Sequence, residues 1–586
     1  SYGIDVFTDL ALGTGNVGVG FGVAPSLTSG DGNLGVGVSS LLFLVSGSDN
    51  VSLGNQSSQE NISGNQNVSV GVKSLQENLT DGNVAVGFEA LQSSVNASGL
   101  VAVGFQAAKA NIAGDSVTAV GSLCLANNLA SFNTALGAGA GYLISTGEQN
   151  TIVGADAFAE NEIGSNAVAV GFQSQNKSTV GENVSLGAFS LQNNVDGNDC
   201  VAIGFEALKA NLSPACTALG AAALRDNTDG ILNTAAGATA LSQNVDGEKN
   251  TALGAGALQD NDSASNCTAA GYNALSSQTT STPSNNSAFG SESSTSNETG
   301  TGLSSFGALS LSANQDGDFC SAFGYKSQST SVSASNCTSM GYASLEVNTA
   351  SGNTAIGSGA MLLNETGSNC TVLGFGALQS NISGSNLIAI GESALFGNED
   401  GSNTVCIGTG SGSTQSSYIN SIYFGTLADA TANSLTNAGA IGYNSRISIS
   451  NAINIGNSCR IGINQPSPAN AVHISNVSNI ADLGFDNSLG TPSEPAEGGA
   501  LYVSSNHLQY INLDGVINLT GPSGVAAGDY TLTNLSVDAR GRITAASSSS
   551  IVGTATEIDV SDISNTYTIS LDPLFTARVD LLEADV

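Results

Sequence analysis

The chain has 586 residues, with 47 Asp and Glu against 12 Lys and Arg, for a formal net charge of −35. A surface of that sign repels nucleic acid and anionic lipid, which argues against a polyanion-binding role. No stretch reaches the ~20 apolar residues of a membrane span, so no membrane insertion is expected. With 2 histidines and no Cys-x-x-Cys pair, a zinc site is not expected either.

Residues 1–10 carry no repeat and read as a lead-in or cap. From residue 11 a short motif takes over. Asn133-Thr134-Ala135-Leu136-Gly137 returns as Asn250-Thr251-Ala252-Leu253-Gly254 and as Asn353-Thr354-Ala355-Ile356-Gly357. The closing glycines run from Gly20 to Gly456, 27 in all, spaced 16 or 17 residues apart except for 19 before Gly290 and 14 before Gly456. A fixed short period over this length means a stack of repeats.

The columns before each glycine differ in size. The residue just before it is apolar (Val86, Leu136, Phe289, Ile356), and the third before it is Val, Thr or Ser (Val101, Thr251, Ser304). The second before is tiny (Ala85, Ser185, Ala322), and the fourth is Asn, Cys or Leu (Asn150, Cys200, Leu303). Side chains alternate along a strand, so one face carries the large apolar residues and the other the small ones with Asn or Cys. The small face suits the interior of a narrow solenoid. The large face needs a cover from outside one chain, which is the sequence argument for an oligomer.

After each glycine a second element follows, such as Phe88-Glu89-Ala90-Leu91 or Phe205-Glu206-Ala207-Leu208, and then a polar turn, often Asp-Gly as in Asp246-Gly247. The expected coil is strand, bend, short strand and polar loop. A helical reading fails, because a glycine every 17 residues would cost about 1 kcal/mol each inside helices. Parallel stacking at about 4.8 Å per turn makes the array roughly 130 Å long.

Further along, Ser277–Asn286 lengthens one loop, and from 404 to 462 the repeats lose their Ala-Leu half. Ser445-Arg446-Ile447-Ser448-Ile449 and Cys459-Arg460-Ile461-Gly462 read as terminal, atypical turns. The array is therefore assigned to 11–462, followed by a proline-containing junction (463–497) and small β modules (498–575). In the last segment (576–586), Val579, Leu582 and Val586 fall at the spacing of a coiled-coil start.

The Asn-Thr-Ala-Leu-Gly…Ala-Leu repeat resembles the head repeats of trimeric autotransporter adhesins. It is still more similar to repeats in bacteriophage and giant-virus fibre proteins. Residues 527–547, with Val537-Asp538-Ala539-Arg540-Gly541-Arg542-Ile543-Thr544, resemble a phage tail-fibre segment that turns as a β-hairpin at Arg-Gly. The resemblance implies a left-handed parallel β-roll with three chains packed side by side. The autotransporter repeat is a few residues shorter, so the turn geometry here is expected to differ. No signal peptide precedes Ser1 and no membrane anchor follows Val586, so the expectation is a processed chain or a fragment rather than a complete autotransporter.

The expected fold class is all-β: a parallel β-roll or β-solenoid of about 17-residue turns, homotrimeric, with small C-terminal β modules and a short coiled-coil start. The expected function is a rigid trimeric viral fibre at the virion surface, presenting host-attachment surfaces. Its partners would be two further copies, a virion or appendage attachment protein, and a host surface receptor such as a glycan. The alternative is a bacterial cell-surface trimeric adhesin or a secreted extracellular filament. The contact surfaces would be variable loops such as 277–286 and the C-terminal modules.

No catalytic, cofactor-binding or metal-binding residue is assigned, and no enzyme is expected. The acids are spread about one per turn, and no phosphate loop or activated-serine motif occurs. Stacked turn carboxylates such as Asp229, Asp246 and Asp316 lack the ligand spacing of a calcium loop. Cys200, Cys216, Cys267, Cys320, Cys337 and Cys370 stand in the Asn column and read as buried thiols, although Cys200 with Cys216 and Cys320 with Cys337 fall in successive turns within reach of a disulfide. Asn-x-Ser/Thr triplets at Asn55, Asn61 and Asn78 are what chance gives in so Asn-rich a chain. A Thr ladder (Thr217, Thr234, Thr251, Thr268) invites an ice-binding reading, set aside because the column reads as covered.

Overall fold

The structure, a computed structural model, describes residues 13–279 and 284–456 in full, together with the backbone of further strands between 461 and 560. The chain divides into two units, one reaching Ile461 and the other formed by most of the residues beyond it.

In the first unit every repeat contributes one strand, and 27 strands make a single parallel sheet. Pairing follows chain order and keeps equivalent residues level: Val17 beside Leu34, Thr134 beside Thr151, Ile407 beside Phe424. Thr268 lies level with Ser287, so the longer loop before Gly290 leaves the ladder unshifted. Each strand stops at one of the glycines found in the sequence. The unit is a parallel β-solenoid.

The strands are mostly three residues long, and the middle one is the inward one. Ala85, Ala135, Ala252 and Ala355 are fully buried, while their strand neighbours are half-exposed or exposed. In most turns a methyl or hydroxymethyl group fills this column, although Ile152, Val372 and Tyr423 are also buried in it. The remaining interior volume is filled by residues from the opposite side of the coil, such as Leu91, Leu125, Leu208 and Leu378.

The segment after the glycine corrects the sequence reading: Phe88-Glu89-Ala90-Leu91 is not a second strand. Glu89 (φ +54) and Leu91 (φ +48) are left-handed, and Ala90 and Leu91 are buried in succession. A strand cannot bury consecutive residues on one face. A turn of 16 or 17 residues must reverse direction within a few of them, and alternating left-handed residues do this while keeping the axial ladder. Glu89 N–H donates to Val72 O of the previous turn (3.0 Å), and Leu91 N–H to Ala107 O of the next (3.0 Å). The left-handed conformation of a non-glycine residue costs about 1–2 kcal/mol, and these axial bonds, repeated in every turn, offset it.

The glycine itself begins the reversal. Gly137 has φ +144, and a Cβ there would lie 2.4 Å from Gly154 O. Successive turns approach so closely at this corner that no side chain fits.

The last turns change. Besides the main sheet, Tyr418–Ile419 pairs with Leu435–Thr436, and Asp429–Ala430 with Arg446–Ile447, both parallel. The loss of the Ala-Leu half near 404 therefore marks a new coil type with strands on further sides. Cys459 and Arg460 lie outside the described residues, as do 1–10 and 576–586.

In the second unit the described strands from Ala500 onward pair antiparallel. Ala500–Ser504 pairs with His507–Asn512, which also pairs with Gly515–Asn518. Tyr530–Thr533 and Glu557–Val560 flank Ser548–Thr554. Ser536–Val537 pairs with Ile543–Ala545 on either side of Arg540-Gly541.

Candidate interaction surfaces

Most polar groups inside the solenoid are engaged with one another. In the column before the strand, Asn50 Nδ2 donates to Asn33 Oδ1 (3.0 Å) and to Gly64 O (2.8 Å), and Asn50 N–H also reaches Asn33 Oδ1 (3.1 Å). Such a ladder satisfies carboxamides that would otherwise be costly to bury. The cysteines of this column take over the same bond. Cys216 Sγ lies 3.3 Å from Gly230 O and Cys320 Sγ 3.0 Å from Ala334 O, the carbonyl 14 residues on that Asn50 also uses.

Among the described residues all eight cysteines are buried, unbonded thiols, including Cys124 and Cys406 outside the Asn column. Burial pushes Cys124 and Cys200 up to about 12, and Cys267 and Cys370 up to about 11. A thiol held neutral in this way is inert.

A second Asn ladder lies at the opposite corner, in a column that the reading of the strand positions missed. Asn244 Nδ2 donates to Asn227 Oδ1 (2.7 Å) and Asn261 Nδ2 to Asn244 Oδ1 (2.8 Å), while each also caps the turn three residues on. The signal was available: Asn61-x-x-Gly64, Asn111-x-x-Gly114 and Asn194-x-x-Gly197 recur with the repeat. This ladder holds Asn61 and Asn78 inside the core, whereas Asn55 is exposed. Two of these three Asn-x-Ser/Thr triplets are therefore structural.

The longer loop is absorbed at this corner. Gln278 stands in the Asn column, and its Oε1 accepts from Asn286 (2.8 Å) and Asn297 (2.7 Å). Residues 280–283 lie outside the described residues.

Near the end of the solenoid a carboxylate is buried. Asp429 accepts from Tyr418 Oη (2.6 Å), Ala430 N–H (2.7 Å) and Thr414 N–H (3.1 Å), with Arg446 Nη1 at 3.3 Å. Burial, then the facing carboxylate, raises the Tyr418 phenol. Both carboxylate oxygens are engaged, so this cluster fastens the changed coil type. Asp229, Asp246 and Asp316 sit in exposed turns, and among the described residues no three His, Cys, Asp or Glu side chains converge.

The exterior surface that stands out is the outer strand face. Its two outward positions carry no charged residue in any of the 27 strands. A single chain leaves it bare: Leu136 is 50% and Leu253 46% exposed. The Thr217, Thr234, Thr251 and Thr268 ladder lies here and is half-exposed, so the chain's own core does not cover it. Hydroxyl residues continue without a break from Thr217 to Thr371, and beside them Phe289, Phe306 and Phe323 stack with centroids 4.7 and 4.9 Å apart. The residue just past the glycine extends the apolar strip with Phe21, Phe88, Phe205 and Tyr272, all exposed. Sequence comparison finds no protein-family model that matches the chain and no curated protein that matches it.

Proposed function

We propose that the protein is a structural fibre: a homotrimer whose solenoid serves as a stiff spacer on the surface of a virus particle, with host-attachment surfaces on its loops and C-terminal modules. A parallel β-solenoid is consistent with a structural, fibre-like protein. The observation that carries the proposal is the bare outer strand face. Sheet length and the two outward columns give an uncharged strip of about 900 Å², in which the strand-ending column is apolar throughout. It is near the ~800 Å² per partner of a stable interface. In a chain with 47 acids, a face without one is a face kept for packing.

Most interior polar groups of the solenoid are spent on its own ladders, which favours a structural role over a catalytic one. Attachment would draw strength from three copies acting together, with a host surface receptor such as a glycan as ligand and a virion protein at the other end. The test is antibody-gold labelling of particles and cells from the source culture. Gold along thin fibres on virus particles is the expected result. Gold on uninfected cell surfaces or shed filaments would replace the proposal with the adhesin reading.

A further inference from the structure

Two pairs of cysteines stand in successive turns of the column before the strand, Cys200 with Cys216 and Cys320 with Cys337. Ser321 lies level with Thr338, and Ser321 N–H donates to Cys337 O (2.9 Å), so Cys320 and Cys337 sit one above the other in adjacent turns. Val201 N–H and Cys216 O place the other pair in the same way. Level residues of a parallel ladder have Cα atoms about 4.8 Å apart, inside the roughly 4.4–6.8 Å that a disulfide spans. Both pairs share this spacing, but they differ in side-chain contact. The Cys320 and Cys337 thiols are in hydrogen-bonding contact with each other. That contact holds Cys337 below the ordinary thiol value although burial opposes it. Cys200 is instead pushed up, chiefly by burial. A thiol held low is the readier nucleophile at neutral pH.

The coil that Cys320 and Cys337 bracket has a broken inner ladder. Gln328 Nε2 turns to Cys320 Sγ (3.5 Å) and Ser331 Oγ (3.3 Å), while Gln328 Oε1 and Asn314 Oδ1 are buried without a partner. The coil between Cys200 and Cys216 keeps its ladder. Asn211 Nδ2 donates to Asn194 Oδ1 (3.2 Å), and Asn227 Nδ2 to Asn211 Oδ1 (2.7 Å).

We propose that Cys320 and Cys337 close to a disulfide as their two turns fold together, an axial staple across a coil whose own ladder is interrupted. The oxidant is a low-molecular-weight disulfide such as glutathione disulfide. The Cys337 thiolate attacks one of its sulfurs, which forms a mixed disulfide and releases one glutathione thiolate. Cys320 gives its proton to solvent and attacks Cys337 Sγ, which forms the protein disulfide and releases the second thiolate. Two protein thiols are oxidised and one glutathione disulfide is reduced to two thiols. Both cysteines are fully buried in the closed solenoid, where a mixed disulfide has no room. The exchange therefore belongs to the stage before the turns close, and the finished bond is out of reach of reductant for the same reason.

The test uses the full-length chain made by cell-free synthesis in a glutathione redox buffer, and again in excess thiol. Each sample is checked by circular dichroism, quenched in acid and digested with pepsin for mass spectrometry. A peptide pair linked through Cys320 and Cys337 is expected from the redox buffer, with Cys200 and Cys216 recovered as thiols. Protein folded in excess thiol and given glutathione disulfide afterwards should link at least about tenfold less, because the closed turns exclude the reagent. Hydrogen exchange across 320–337 should be at least about tenfold slower in the linked protein, since a covalently closed turn opens less often. Cys320→Asn and Cys337→Asn each put back the column's usual residue and should lose that difference between the two buffers, and either one serves if the other disturbs folding. Recovery of Cys320 and Cys337 as free thiols from the redox buffer overturns the proposal. Equal linkage of Cys200 with Cys216 also overturns it, because succession in the column would then be enough. A linked pair whose coil exchanges no more slowly overturns the staple.

Discussion

At the scale of single residues the solenoid is decided by where a Cβ can go. Gly137→Ala would drive a methyl group into Gly154 O at a φ that L-residues avoid. Strain and overpacking together should cost roughly 2–5 kcal/mol. Gly82, at φ +68 with nothing within 4 Å of a built Cβ, is the control. Gly82→Asn should change stability by less than about 1 kcal/mol, since Asn tolerates the left-handed region. Hydrogen exchange over the neighbouring turns reads both, because long repeat arrays need not unfold in one step. The raised thiol pKa values give a pH prediction with a definite sign. The folded state prefers the neutral thiol, so its contribution is complete below the ordinary thiol range of about 8.5. It is lost as pH climbs through the folded values of about 11 to about 12. Far-UV circular dichroism should show the solenoid failing in that alkaline window. Cys267→Asn combined with Cys370→Asn, which restores the column's usual residue, should move the failure to higher pH. An unchanged midpoint would mean that these thiols do not control it.

At the scale of one coil, the ladders show where the repeat is imperfect. Asn314 Oδ1 is buried without a partner, because the next residue of its column is Ser331 rather than Asn. Gln328 then replaces the column's Leu, and its Oε1 is also unpartnered. The same substitution pair recurs at Gln175 and Ser178, where Gln175 Oε1 is unpartnered. Gln328→Leu with Ser331→Asn should extend the ladder and refill the core, raising stability by about 1–2 kcal/mol. Each change alone should give less than half of that, since the two sites share a cavity and are not additive. Thermal unfolding of the full chain measures the comparison. Sequence columns made the solenoid legible because the glycine, the tiny residue and the apolar residue each answer to one steric demand repeated 27 times. The post-glycine segment was misread as a strand because left-handed Glu89 and Leu91 carry no compositional mark. Such a conformation is imposed by closure of the coil, not by propensity. The second Asn ladder was overlooked because its column tolerates Ser94, Ile144 and Gln278, which blur the period.

At the scale of the whole molecule the question is why a chain so acidic keeps one long face free of charge. Self-repulsion at a net charge of −35 disfavours any association that lacks a large apolar contact. Association through the outer strand face would place the acids of the turns on the outside and leave hydroxyl and apolar columns between copies. Native mass spectrometry should therefore find three chains of 58.1 kDa travelling together. Adding salt should strengthen the association rather than weaken it, because screening removes repulsion while the apolar contact is unaffected. Val103→Lys with Leu136→Lys sets two cations into the face without touching the core, since both side chains point outward. Burying an unpaired charge at an interface is strongly unfavourable, so this variant should sediment as a folded monomer with the parent's circular dichroism. Retention of the trimer by that variant would show that the copies meet elsewhere, and the bare face would then need a different occupant.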